Sequence, residues 1–422
     1  MATDPTSQED LEEIRNNPSG PSLPIPPSSS LVVVLAAVSA VPQLAIDMYL
    51  PGFPDLSRDL QADPFAVQLT LTAFMAGLAA GQLVIGPVSD QFGRRRLLLW
   101  GSALCAVATV LCAIAPTIEA LILFRLLQGL TGAAGVVLAR AVIADRASGS
   151  RAASLFSLMI AIQGAAPVVA PLAGGVVVQF LGWRGVFWAL AVISVALWLL
   201  ATFFIAESLP VGRRRAGGLS ELRRMTAAVL RNRSYLHYCL AVGFGLGSMF
   251  CYIAASPFIL QETYGMDAGW FSVVFAANAA GIALFSALSA GLVRRFSPVA
   301  VMRLGLSLMA AGTTGYFILT LTESANLWST LVLFFVIVGS LGLVLGNATA
   351  LAVAQAREAA GTAVAVIGAA EFLIGAAAAP LVGLGGENLQ PALGAGMLTM
   401  TLIAAIAGWT SGRRCAPQQE MH

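Results

Sequence analysis

The chain has 422 residues, of which 58% are hydrophobic and 10% charged, with a mean hydropathy of +0.83. A water-soluble domain carries about 25% charged residues, so this composition excludes a soluble particle and requires a lipid-facing surface. The net charge of +2 excludes a strongly basic nucleic-acid binder. All 23 basic residues are Arg, which excludes Lys chemistry such as a Schiff base. Cys105, Cys112, Cys239, Cys251 and Cys415 form no C-x-x-C pair, and His237 and His422 are isolated. No metal site or cofactor is expected from that set.

Residues 1–30 are polar, with Asp4, Glu9, Asp10, Glu12 and Glu13 against Arg15, and end in a Pro/Ser-rich run. They lack the basic start of a signal peptide and read as a disordered cytoplasmic tail. Apolar runs of span length follow at 31–53, 66–88, 97–115, 118–144, 152–178 and 184–206. Six more follow at 235–257, 269–293, 299–321, 326–350, 359–384 and 390–410. An all-α integral membrane protein with twelve transmembrane helices is the expected fold class. The polar stretch 207–234, with Arg213, Arg214, Arg215, Arg223, Arg224, Arg231 and Arg233, reads as a cytoplasmic basic linker. It divides the chain into six-helix bundles at 31–206 and 235–410, and residues 411–422 form a C-terminal tail. The stretches from Pro51 to Gly86 and from Pro257 to Gly291 are nearly equal in length, an echo of internal duplication.

Arg placement orients the chain. With the N-terminus inside, inner loops hold Arg94, Arg95, Arg96, Arg146, Arg151, the linker cluster, Arg294, Arg295, Arg357, Arg413 and Arg414. Outer loops hold Arg58 and Arg184. Both termini are therefore expected in the cytoplasm.

Charges inside spans are costly and mark pathways or partners. Asp47 and Glu371 are the acidic residues well inside the predicted spans, and Arg125 is the clear internal base. At ~1.5 Å per residue, Asp47 lies about 24 Å from the inner end of span 1 and Arg125 about 10 Å from the outer end of span 4. The two are at similar depth, and a pair between them is geometrically allowed. Glu371 lies about 18 Å into span 11. Gln43, Gln128, Gly129, Gly368 and Gly375 share faces with these charges, as protein-facing or water-lined stripes do. A carboxylate that exchanges partners can take and release a proton. The alternative for Asp47 is a static ion pair. Arg125 is read equally as a structural partner or a substrate contact.

Between spans 2 and 3 stands Gly86-Pro87-Val88-Ser89-Asp90-Gln91-Phe92-Gly93-Arg94-Arg95-Arg96. Gly86 permits close helix contact, Gly93 a tight turn, and Asp90 can cap a helix or pair with Arg. The string resembles the signature gating loop of the major facilitator superfamily, although Gln91 stands where that family usually has a basic residue. Arg125-Leu126-Leu127-Gln128-Gly129 and Gly132 are similar to the family's span-4 motif, whose Arg is linked to proton coupling. Gly164, Pro167, Pro171, Gly174 and Gly175 in span 5 resemble the motif of proton-driven antiporters. Pro167 and Pro171 share one face, and each frees a backbone carbonyl.

Ile46 to Pro51, Ala255 to Phe258, Tyr264-Gly265, Phe275 to Asn278 and Gly346-Asn347 resemble the Bcr/CflA group of drug exporters, over about residues 31–410. That resemblance implies the major facilitator fold in two six-helix bundles. It implies export of amphipathic drugs against protons by a multi-pass monomer of the cell membrane, with no cofactor. Asp47, Arg125 and Glu371 are the proton-coupling candidates. Tyr49, Gln68, Phe74, Asn278, Asn347 and Glu371 are the candidate substrate-lining residues. Transport of a native metabolite, a sugar or an amino-acid-like molecule, is the alternative, although the spans offer few hydrogen-bonding side chains for a sugar. An intramembrane enzyme is a third reading, without H-E-x-x-H, paired carboxylates on adjacent turns or a His cluster to support it.

Overall fold

The computed structural model describes residues 29–147, 149–209, 212, 218–356 and 360–411. The expected N-terminal tail, except 29–30, and the C-terminal tail beyond 411 lie outside them, as do Arg213, Arg214, Arg215, Arg357, Arg413 and Arg414. The described residues are mostly helical, joined by short turns, and contain no strand. Without water in the hydrocarbon core, a helix is the form in which each span satisfies its own backbone.

Span 2 is Pro64–Phe92, span 3 Arg94–Ala113 and span 4 Ile118–Arg146. Spans 5 and 6 run as one helical stretch, Gly149–Phe204, interrupted at Gly182 with φ +67° and ψ −176°. That backbone conformation belongs essentially to glycine, so Gly182 is where the chain reverses. Span 7 is Arg233–Phe258, continued by a π-helical turn Ile259–Thr263. Span 8 is Ala268–Leu292, span 9 Pro298–Leu321, span 10 Leu327–Ala354, span 11 Ala360–Gly383 and span 12 Leu389–Thr410. The twelve spans form two six-helix bundles.

Span 1 departs from the uninterrupted helix expected over 31–53. Its helix Ser29–Asp47 stops at Asp47. A 3-10 turn, Leu50–Gly52, then leads into a short helix, Phe53–Asp59. Pro51 cannot donate to the preceding turn, and it forces the break. Met48, Tyr49, Leu50 and Phe53 are at most 3% exposed, so the irregular backbone is enclosed by protein. Span 7 has Pro257 before its π turn. The first helix of each half thus carries a proline near its end, but span 1 breaks there whereas span 7 passes on into the π turn.

Local sequence fixes many helix starts. Asp63, Thr117, Asn232, Asp267, Ser297 and Asn326 accept from backbone N–H groups of the spans they precede. The linker differs from the expectation of plain polar chain: Gly218–Arg231 is a helix, packed on spans 2, 7 and 11. Apolar residues at period 3.6 among its Arg residues account for it. The outward rim is apolar, with Trp100, Phe180, Phe203, Trp328 and Ile406 exposed.

The halves meet along spans 2 and 11 and along spans 5 and 8. At one end both seams are shut. A Cβ on Gly383 would lie 2.7 Å from Phe65, and one on Gly175 would lie 2.9 Å from the Ser272 Cβ. Gly164 lies on the same face of span 5 as Gly175, about three turns away. There a Cβ would meet nothing within 4 Å. The seam between spans 5 and 8 therefore splays open toward the end that carries Arg94–Arg96.

Candidate functional site

Arg125 is fully buried, and its environment is unusual for a charge. Its guanidinium donates to the Ala45 carbonyl at 3.1 Å and to Gln128 Oε1 at 2.8 Å. It lies 4.3 Å from the ring centre of Tyr49 and 4.2 Å from that of Phe74, with Phe187 at 5.8 Å. Nε and Nη2 donate to no partner. Gln128 is held in turn by donating to Thr109 Oγ1 at 2.8 Å. Tyr49 shares a 3.2 Å hydrogen bond with Thr70. Aromatic faces offer a cation attraction without hydrogen bonding, which leaves donors unspent.

Asp47 is 5% exposed and ends the first helical segment of span 1. It carries no hydrogen bond and no ion pair among the described residues. The direct Asp47–Arg125 pair allowed by depth is absent. The reason is rotational: Arg125 contacts Ala45 and Tyr49, two residues to either side of Asp47, which places the carboxyl on the opposite face. Asp47 faces the second half instead, close enough to Tyr252 of span 7 to act on it electrostatically. Tyr252 accepts from Asn278 Nδ2 at 2.8 Å. A helix C-terminus is itself an unfavourable place for a negative charge.

The span-5 string reaches this break. A Cβ on Gly174 would overlap the Met48 backbone, and Gly175 abuts Ser272 of span 8. Pro171 is buried in the same helix, while Gly164 and Pro167 lie toward the open end. Gln68 is fully buried, both of its amide atoms lack partners, and Gly383 of span 11 lies against it. Gln43, one turn before Asp47, also holds a buried Oε1 without a donor. Asn347 is differently placed: its Nδ2 donates to Ser289 Oγ and to the Leu343 carbonyl, tying span 10 to span 8.

Glu371 is half-buried in span 11 and forms no ion pair among the described residues. Its electrostatic partners are Arg140 of span 4 and Cys239 of span 7. Arg140 escaped the sequence reading because it lies near the end of predicted span 4, where an Arg passes for an interfacial residue. Tyr252 escaped because one aromatic in an apolar span looks like any other.

The gating loop forms a knot at the open end. Arg94 pairs with Asp90 at 2.8 Å and with Asp145 at 3.3 Å, and it donates to Ser89. Arg95 donates to the carbonyls of Ile205 at 2.6 Å and Thr202 at 3.0 Å. Gly93 has φ +98°, the turn expected there. With no side chain at that cap, span 3 is capped by Glu207, which accepts from Arg94 N and Arg95 N at 2.9 and 3.3 Å. Partial burial opposes the Glu207 charge, but bonds from the Leu209, Arg94, Arg95 and Ser208 N–H groups outweigh it and hold the carboxyl below its ordinary range. Gly86 does not serve the close contact expected of it, because a Cβ there would meet only Val137, at 3.9 Å. The tight approaches of spans 2 and 4 are at Gly77, Gly81 and Gly129, against opposing backbone. At the other end, Arg184 pairs with Asp59 and Arg58 with Asp55.

Comparisons with known proteins agree with this architecture. The family model described as Major Facilitator Superfamily matches residues 35–380. An uncharacterized MFS-type transporter, YdgK, of Bacillus subtilis is 35% identical over 383 residues, covering 90% of this chain and 94% of the relative. The bicyclomycin resistance protein homolog of Haemophilus influenzae is 29% identical over 351 residues, covering 83% and 88%. Among solved structures, the POT family transporter PepTSo superposes with a TM-score of 0.73 at 14% identity, covering 92% and 97%.

Proposed function

The chain belongs to the major facilitator superfamily, and within that family of transporters we propose that it exports amphipathic drugs in exchange for protons, by alternating access of its two halves. The observation that carries this reading is the separated pair: a buried Arg125 with two unspent donors on one face of span 1, and a buried, unpartnered Asp47 on the other. Each alone is costly, and joining them would satisfy both. A proton decides between the arrangements. Ionised, Asp47 is drawn to Arg125; protonated, it has no charge to pair. Because Asp47 ends an interrupted helix that Gly174 of span 5 touches, its partner exchange can move the seam that opens and closes.

In this reading both termini are cytoplasmic, so the open end faces the cytoplasm and the structure is ready to load. Drug enters the splayed seam, the halves rock, and an external proton reaching Asp47 releases it. Tyr49, Phe74, Gln68, Asn278 and Glu371 are the residues proposed to line the path. Coupling needs no cofactor; the proton gradient drives it, and one chain in the cell membrane suffices. The similarity to a bicyclomycin resistance protein homolog supports a drug as cargo. The test is drug-induced proton release in inside-out vesicles, with chloramphenicol-like neutral compounds and lipophilic cations as cargo. Wild type should release protons and Asp47→Asn should not. Coupled transport by Asp47→Asn would refute the mechanism.

A further inference from the structure

Beside the seam where span 11 packs on span 2, on the side of Arg94–Arg96, two opposite charges do not meet. Arg140 lies on span 4, roughly 22 Å beyond Arg125 toward the open end by the helical rise. It is exposed, whereas Arg125 is fully buried. Glu371 comes from span 11 of the other half. The two are within electrostatic reach, yet no ion pair joins them among the described residues. Beside them, the buried Nε2 of Gln82 in span 2 donates to nothing. Its Oε1 lies 3.6 Å from where a Cβ on Gly368, one turn before Glu371, would stand. On span 11, the exposed positions Val364 and Ala365, one to two turns before Glu371, are small or apolar.

We infer that Arg140 and Glu371 are the two poles of a substrate subsite for zwitterions, with Gln82 as a further donor. A lone cation is drawn to Glu371 and repelled by Arg140, and a lone anion meets the reverse. A molecule carrying both charges satisfies both poles with charge-assisted hydrogen bonds. The poles sit on different halves, so such a cargo also bridges the moving bundles. The subsite deepens the proposed function and rests on reading this seam as the transport path.

The test is equilibrium binding to the purified full chain in lipid nanodiscs, with no proton gradient, so it fails or succeeds apart from the coupling experiment. The probes share one fluorophore: Nε-dansyl-lysine as the zwitterion, its methyl ester as the cation, its Nα-acetyl form as the anion, and the doubly blocked form as the neutral molecule. Wild type should bind the zwitterion about tenfold tighter than the ester or the acetyl form, as one charge-assisted contact predicts. Arg140→Gln should bring the zwitterion-to-ester ratio to near one, and Glu371→Gln should do the same to the zwitterion-to-acetyl ratio. The double reversal Arg140→Glu/Glu371→Arg should restore the preference, which a folding defect would not. Equal or undetectable binding of the four probes by wild type overturns the inference. So does a variant that weakens all four by one common factor.

Discussion

Replacing Arg125 with Met tests whether its burial serves coupling or architecture. The substitution removes hydrogen bonds to Ala45 and Gln128, worth about 1.5–3 kcal/mol each for a charged donor. It also removes stacking on Tyr49 and Phe74, worth up to ~2 kcal/mol each when desolvated. Against those losses, several kcal/mol of desolvation are recovered when a guanidinium with two unmet N–H groups leaves the interior. The opposing terms nearly cancel. A net loss of about 1–3 kcal/mol remains, felt mainly at Gln128 Oε1, which the weak Cys112 thiol at 3.9 Å serves poorly. Drug-induced proton release should fall at least tenfold, while the apparent unfolding midpoint drops by only a few degrees. Cys105, Cys112, Cys239 and Cys251 are buried thiols, so in a Cys415→Ser background a thiol-reactive fluorogenic dye reports the midpoint. A drop beyond about 10 °C would make Arg125 an anchor of the first half. Undiminished proton release would remove it from the coupling path. Either result refutes the reasoning.

Gly174→Val should abolish transport and lower yield of folded protein, because its side chain overlaps the Met48 backbone. Gly164→Ala on the same helix should leave the folded yield unchanged, since nothing lies within 4 Å; size-exclusion profiles compare the two. Glu207→Gln should lower the dye-reported midpoint at neutral pH. The folded carboxyl is held below its ordinary value of 4.5, so its contribution is present above that value and lost as pH falls through the lower, folded one. The gap between wild type and Glu207→Gln should therefore close only in acid; a gap independent of pH would show that charge is not what matters there.

Hydropathy made the spans legible because length and apolarity are set by the bilayer, whatever the packing. The Gly93 turn and the Asp90–Arg94 contact were legible because both are local. The break in span 1 was announced only by Pro51, and a proline within a span signals a kink without saying which carboxylate it will strand. The Asp47–Arg125 depth match was a one-dimensional argument, and azimuth decided otherwise. Arg140 shows the complementary failure: near a span's end, lipid-facing and seam-facing Arg are indistinguishable until the opposite half supplies Glu371. The linker helix was hidden by its Arg content, which reads as polar chain unless its apolar period is sought.

The clasp at Glu207 has a consequence for biosynthesis. Its ligands, Arg94 and Arg95, and the neighbouring bond from Arg146 to the Ala206 carbonyl all belong to the first half. These contacts, with the Ser208 and Leu209 N–H groups that also donate to Glu207, lie within residues 94–209. The first six spans can therefore close these contacts before the linker helix, Gly218–Arg231, emerges. The insertion machinery would then release a finished half, against which the second six spans are assembled.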